Sequence, residues 1–583
     1  MSSHNRFSFT PTLVILCGFL AVSSAFAKDQ WPYYGGTQWG ERHVKFSQVG
    51  KHNVAHLVPR RVLQLGEIAY SMTSSPLVIE GIMYVTGAAG VVQAFDLRTG
   101  VRKWSYKYET DPRIKGAVDP AAQALGFTSN CCSNTSRGVA YADGTIFLGT
   151  LDAKMVAIDA ETGKKKWEVW SVKVEDNPNG NYGYNSAPVA IGNMVVIGTT
   201  GGEAQTRHHL TAFDQKTGKQ VWRWYSIPAP DGSDPVAPDG WWGDFAEKTA
   251  WGQDTTIYRD IKQEKADKEK YIDSWKIGGG AMWMPVTYDV ELDLIFVGTG
   301  NANPDMDGRG RPGDNLFTSS VVAIDAKTGK TRWHFQVEPH SLWDRDQITP
   351  PVVAMLDGRK VIVHASKTGI MFVLDAKTGE YIRKSEIFVP QINMWEAPTT
   401  EGVTVAPSAS GGNNWSPISV DSKRKLGFVG AMNLPVKFTL EKEVDESEHL
   451  GRPTKLMNLG GAWAFDMDKA SGYFSAIDLT TGKIKWQNES PLPFVGGVLS
   501  TSTGLVFQGE SDGNLTAFDS ETGKTLWQFN TGAGVNAPPI AYELDGEEYI
   551  AVAAGGTTLW ASPHGDTVFV FGLPKKWEPA AHK

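Results

Sequence analysis

The fold this chain predicts is all-β: an eight-bladed β-propeller of four-stranded antiparallel blades. Three observations predict it. One phrase, Ala-φ-Asp-x-x-Thr-Gly-Lys-x-x-Trp, recurs along the chain, with φ an apolar residue. Short β-prone runs such as Gly144–Thr150 precede most copies. The period of these units is the roughly 40–60 residues of a propeller blade.

The copies run in order as Ala94…Asp96…Gly100…Trp104, Ala157…Asp159…Gly163…Trp167, Ala212…Asp214…Gly218…Trp222 and Ala323…Asp325…Gly329…Trp333. Val373…Asp375…Gly379 follows, with Arg383 where the others have Trp, then Ala476…Asp478…Gly482…Trp486 and Ala517…Asp519…Gly523…Trp527. In each, a strand ends at the Asp, Thr-Gly turns the chain with positive φ, and a second strand carries the Trp. A Trp at a fixed place in every unit reads as packing between blades. It carries no chemistry.

Asp-to-Asp spacings are 63, 55, 111, 50, 103 and 41 residues. The gap of 111 contains the charged stretch Lys262–Lys270, read as a solvated excursion. The gap of 103 contains a strand-rich unit around Trp415–Gly430, read as an unsignatured eighth blade. Ile540–Leu573 is expected to close against the start of the mature chain.

Residues 1–27 read as a secretory signal: Arg6, the apolar run Leu13–Ala21, then Ala25-Phe26-Ala27 as the cleavage pattern. Residues 28–583 then form a single propeller domain, exported and without a membrane span. The formal charge of −8 disfavours nucleic acid and leaves room for a basic protein partner. Of three cysteines, Cys17 lies in the signal, leaving the adjacent Cys131 and Cys132. Neighbouring Cα atoms lie about 3.8 Å apart, below the usual disulfide range, so a bridge here requires a bent peptide. An oxidising compartment permits one.

Function is expected where the repeat breaks. Asp344-Arg345-Asp346 places two carboxylates on one side of an extended segment. With Glu203 and Asn301 they offer oxygen donors from three blades, a set suited to a hard cation. Taken singly, each acid also reads as a solvated turn carboxylate.

Four motifs together carry a resemblance: Cys131-Cys132 followed by Arg137-Gly138, Gly278-Gly-Gly-x-x-Trp283, Gly298-x-Gly-Asn301 and Trp343-Asp344-x-Asp346. Along nearly the whole mature chain the sequence resembles the pyrroloquinoline quinone (PQQ)-dependent alcohol dehydrogenases. The resemblance implies a disulfide between Cys131 and Cys132 on one face of the quinone and Trp283 on the other. Arg137 and Lys367 are implied as partners of its carboxylates and quinone oxygens, and Ser186, Thr200, Gly201, Gly202 and Asn414 as rim contacts. Glu203, Asn301 and Asp344 match the family's metal ligands. Asp344 also matches its general base, taking the hydroxyl proton while hydride moves to PQQ. Asp346 suits a lanthanide or calcium, and the choice stays open.

Some positions depart from the family pattern. Thr73 stands where many members carry Glu, Val495 where methanol and ethanol enzymes carry Trp, and Lys367 where methanol enzymes carry Arg. These differences imply a roomier pocket, for a larger or secondary alcohol or a polyol. No Cys-x-x-Cys-His haem motif occurs in the chain, so a separate soluble c-type cytochrome in the periplasm is the expected electron acceptor. The competing reading is a non-enzymatic propeller scaffold of the outer-membrane assembly type.

Overall fold

The computed structural model describes residues 30–68, 71–87, 90–114, 135–558 and 562–575. The expected signal peptide and the Cys131–Cys132 pair lie outside the described residues. Seven four-stranded antiparallel units follow one another along the chain, six of them built from consecutive strands. The first sheet is Leu77–Ile79, Ile82–Thr86, Val91–Asp96 and Arg102–Lys107. The second sheet begins at Ala140–Ala142, the third at Val189–Ile191, the fourth at Thr287–Asp289 and the fifth at Val352–Leu356. The sixth begins at Ser419–Asp421 and the seventh at Val498–Thr501. An eighth sheet joins Ile540–Leu544, Glu547–Ala554 and Thr567–Gly572 to Val58–Gln64 from the start of the chain.

Strand sequences follow their layer. Met194–Gly198 is an unbroken buried run because neighbouring sheets cover both its faces. Arg102–Lys107 is an outer edge: its exposure alternates, and its Arg and Lys side chains guard the open backbone. The core is apolar packing between consecutive sheets, such as Tyr84 and Val92 of the first against Ile146 and Val156 of the second.

The repeat is the joint between sheets. The Trp222 indole N–H donates to the Ala326 carbonyl of the next sheet at 2.9 Å, and its ring lies against Gly329. A Cβ on Gly329 would stand 2.7 Å from that ring, at a φ of +68°. Trp104, Trp167, Trp333 and Trp486 meet Gly163, Gly218, Gly379 and Gly523 in the same way. The Thr-Gly glycine therefore serves both the turn and the neighbouring indole.

One expectation is corrected and another holds. Trp415–Gly430 does not begin a separate blade. Its strands, Ser419–Asp421 and Leu426–Asn433, pair within one sheet with Ser471–Asp478 and Ile484–Ser490 of the sixth repeat copy. The intervening chain folds out as a three-stranded sheet of Val403–Val405, Val436–Leu440 and Gly461–Phe465. The unsignatured unit is the closing sheet, which uses strands from both ends of the described chain and has no Thr-Gly turn. The Lys262–Lys270 stretch is solvated as expected, with six of its nine residues exposed and Glu264 alone buried. It begins on the helix Ile261–Asp267, whose one buried acid, Glu264, is ion-paired with Arg259, itself 2.8 Å from Asp314.

Residues 31–44 lace the first strands together. Trp31 pairs with Val78, and the Gln38, Trp39 and Glu41 carbonyls accept from the Tyr288, Val353 and Val420 amides. Arg42, fully buried, donates to the Val498 and Pro539 carbonyls.

Candidate active site

The repeat's turns and the irregular loops occupy opposite ends of the sheets. In an antiparallel four-stranded unit, the Asp-x-x-Thr-Gly turn joins strands three and four. The segment entering strand one and the turn joining strands two and three lie at the other end. Nearly every expected site residue falls in those two places. Thr73, Arg137, Ser186, Trp283, Asp344, Asp346 and Asn414 precede first strands, while Thr200–Glu203, Asn301 and Lys367 follow second strands.

These loops surround a cavity of about 560 Å³. Arg137, Thr200, Gly201, Gly202, Glu203, Trp283, Asp344, Asp346, Lys367 and Asn414 line it, as does Thr73. Ser186 and Asn301 do not. The Ser186 hydroxyl is buried behind the wall and donates to the Ala187 carbonyl at 3.2 Å, and Asn301 stands behind Asp346. Val495 is also off the wall. It packs under Trp415 in a cluster with Tyr34, Met284 and Met432, so its small size alters the floor's packing and not the cavity surface.

Lys367 is the centre of charge. Its ammonium donates to Asp346 Oδ2 at 2.6 Å and to the Asp344 carbonyl at 2.9 Å, with Asp344 Oδ1 at 3.5 Å. Burial alone would lower the lysine's pKa, and the attraction of Asp344 and Asp346 outweighs it, so the pKa is raised. Asp344 has the opposite problem. Enclosure pushes its carboxyl well above the ordinary value, Lys367 opposes this, and Asp346 and Glu203 add to it. Glu203 is raised by burial and by Asp346. Asp344 also has a φ of +51°, the left-handed region, in a loop that aims its side chain into the cavity.

Asp305 was missed in the sequence. It is fully buried, and its carboxyl is held well above the ordinary value by enclosure, then by Asp344, Glu203 and Asp346. Glu203, Asp344 and Asp346 thus gather around one ammonium, and Asp305 adds a fourth buried carboxyl to the cluster. Among the described residues no three His, Cys, Asp or Glu side chains close on a common point as metal ligands, because Lys367 draws Asp344 and Asp346 to itself. The donor chemistry still suits a hard cation: the set is all oxygen, in excess negative charge, and Asp305 Oδ2 is buried with no hydrogen-bond partner.

The walls suit a flat, polar-edged ring. The Arg137 guanidinium lies 4.6 Å from the centre of the Trp283 ring, giving that side an aromatic face and a cation. Thr73 Oγ1 and the amide oxygens of Asn185 and Asn414 are buried along the same cavity with no hydrogen-bond partner. Gly201, at φ +108°, brings bare backbone to the wall.

A cap covers the mouth, and its residues carried no repeat signal. Met457, Leu459, Trp463 and Phe465 line the upper cavity, with the Lys455–Glu441 ion pair at 3.2 Å beside them. The cap is anchored on the turn that carries Glu203. The Asn458 amide donates to the Glu203 carbonyl at 2.8 Å, and Gln205 Oε1 accepts from the Thr454 and Lys455 amides.

Comparison with known proteins gives this geometry its context. The PQQ family described as "Glucose/ethanol/alcohol dehydrogenase, beta-propeller domain" matches residues 31–396 and 382–550. The quinohemoprotein alcohol dehydrogenase of Comamonas testosteroni is 33% identical over 94% of this chain and 75% of its own. The quinoprotein alcohol dehydrogenase PedH of Pseudomonas putida is 31% identical, over 93% of this chain and 91% of its own. A europium-containing methanol dehydrogenase structure superposes with a TM-score of 0.77 at 26% identity, covering 94% of this chain and 99% of that one. Repeat, cavity and relatives agree, and the chain belongs to the PQQ-dependent alcohol dehydrogenase family of β-propeller oxidoreductases.

Proposed function

We propose that the chain is a periplasmic, metal-dependent member of this family that oxidises alcohols with an extended apolar body to aldehydes or ketones. The carrying observation is one cavity with two chemistries. Buried carboxylates around Lys367 form its floor, and Met457, Leu459, Trp463 and Phe465 form its upper wall. A polyol would leave its hydroxyls unpaired against those side chains, whereas an alkyl or aryl body would be buried favourably.

When bound, PQQ supplies the two-electron acceptor and the cation supplies positive charge beside it. Trp283 offers the stacking face, and Cys131–Cys132 is assigned the opposite one. Arg137, Thr200, Gly201, Gly202, Asn414 and Ser186 hold the ring's edge, with Ser186 reaching it only if its hydroxyl turns from Ala187. Glu203, Asn301, Asp344 and Asp346 would hold calcium or a lanthanide, with Lys367 beside them paired to Asp346. Asp344 takes the substrate's hydroxyl proton, a role for which its side chain is placed on the cavity wall. Residues 28–583 act as one domain after removal of residues 1–27. A separate soluble c-type cytochrome accepts the electrons.

The test is reconstitution. Purified protein receives PQQ with Ca²⁺ or with a lanthanide, an artificial dye, and a panel of alkyl, aryl and polyhydric alcohols. Dye reduction that is fastest with long alkyl or aryl alcohols is expected. No reduction with either metal would overturn the cofactor reading, and a preference for polyols would overturn the substrate reading.

A further inference from the structure

Asp305 is not part of the ligand set expected from the motifs, and it does not line the cavity. It lies four residues after Asn301, in the loop that follows the second strand of the fourth sheet. Its Oδ1 accepts from Asn301 Nδ2 at 2.8 Å. The other amide hydrogen of Asn301 goes to the Ala302 carbonyl at 3.0 Å, an obligate acceptor, which fixes the amide's orientation. Both hydrogens are therefore used behind the residue, and the amide oxygen is left on the other side. No described residue donates to it.

The loop itself is clamped. The buried Arg311 donates to the Pro304 carbonyl at 3.0 Å and to the Ser341 carbonyl at 2.7 Å. One guanidinium thus ties the Asp305 loop to the segment leading into Asp344. Asp346 Oδ1 meanwhile accepts the Asn301 backbone amide at 2.9 Å. Asn301 is held by one acid through its backbone and by another through its side chain.

We propose that Asp305 is a positioning residue that holds the Asn301 amide with its oxygen turned to the cation. The inference rests on the metal-site reading above. It needs only an acceptor oxygen at residue 305, so it distinguishes substitutions that keep the acceptor from those that lose it.

The experiment compares Asp305→Asn with the near-isosteric Asp305→Leu in the full-length mature protein. Tb³⁺ alone is titrated by tryptophan-sensitised luminescence, and Ca²⁺ is measured by displacement. Asp305→Leu is expected to weaken binding of both ions by about 10–100-fold, with Asp305→Asn within about threefold of the wild type. Equal binding by Asp305→Leu and the wild type overturns the inference, as does an Asp305→Asn variant as weak as Asp305→Leu, which would mean that charge and not orientation matters. A wild type that binds neither ion overturns the metal reading and this inference with it. Thermal unfolding checks the fold of each variant. If Asp305→Leu does not fold, Asp305→Ala replaces it under the same criteria.

Discussion

Asp159 and Asp344 are the same residue at opposite ends of one architecture, and their surroundings give them opposite properties. Asp159 ends the third strand of its sheet. The Thr162 hydroxyl and amide donate to its carboxylate at 2.8 and 2.9 Å and hold its pKa below the ordinary value. Asp214 meets the Thr217 hydroxyl and amide in the same way. Asp344 has no turn to serve. Enclosure and neighbouring acids push it upward, and only Lys367 opposes them. Turn acids are charged because the backbone neutralises them locally. The cavity acids have no such turn and gather instead around the Lys367 ammonium, and that contrast separates the two ends of the molecule.

Substitutions can break this contrast. Asp344→Ala should lower kcat by about 10²–10⁴-fold in dye-linked assays of the PQQ- and metal-loaded protein, the usual worth of a general base. Its unfolding midpoint should change little. Survival of more than a tenth of the activity would remove Asp344 from the proton-transfer role.

Lys367→Ala leaves Asp344 and Asp346 buried without their ammonium. A loss of about 3–5 kcal/mol is expected in metal-free protein by denaturant unfolding. Added Ca²⁺ or Tb³⁺ should restore part of it, more than either ion adds to the wild type. Equal stabilisation of both proteins would mean that the acids do not respond to a cation.

At the other end, Trp222→Ala removes an indole seated on Gly329 and should cost about 3–5 kcal/mol of stability. The KM of the loaded enzyme should stay within about twofold, because packing losses at a distance from the site act on stability alone. A change in KM beyond that would couple the joint to the cavity.

Asp159→Asn should be the mildest, within about 0.5 kcal/mol. The sign of its pH dependence is fixed. A carboxyl whose folded pKa is depressed contributes stability above its unfolded pKa, about 3.9, and loses it as pH falls through the lower folded value. The difference between Asp159→Asn and the wild type should therefore shrink on acidification below about pH 4.

The sequence showed the repeat end more plainly than the cavity end. Asp, Thr-Gly and Trp each answer to local geometry, so their recurrence revealed seven turns and the joints between sheets. Where the joint changes, the signal fails. Arg383 replaces the Trp between the fifth and sixth sheets, where the Glu386 amide and carboxylate bond instead to the Gly482 carbonyl and the Ile484 amide. At the closing joint Arg61 reaches the Arg98 carbonyl beside Gly100. The sixth sheet was misread because Asn433 and Ser471 are paired across an excursion that interrupts the unit.

Among the cavity residues, Asp344 and Asp346 were legible from their spacing, Trp283 from its glycine motif and Lys367 only by its position in the family resemblance. Asp305 was not, because an acid after Asn-Pro in a Gly-rich loop looks like any solvated turn. The cap residues were equally silent. Trp463 and Phe465 alternate along an ordinary strand, and only the folded chain shows what that strand covers.

The lacing by residues 31–44 has a consequence for how the protein is made. Its hydrogen-bond partners are spread from Val78 to Pro539, and the neighbouring strand Val58–Gln64 pairs with Thr567–Gly572. The first residues of the domain to be synthesised must therefore wait for nearly the last. Until then the chain is an open arc with two unpaired sheet edges, exposed to aggregation. Closure is one late event of high sequence separation. A chain ending before Thr567 should remain open at that seam, however well its Trp-jointed sheets have formed.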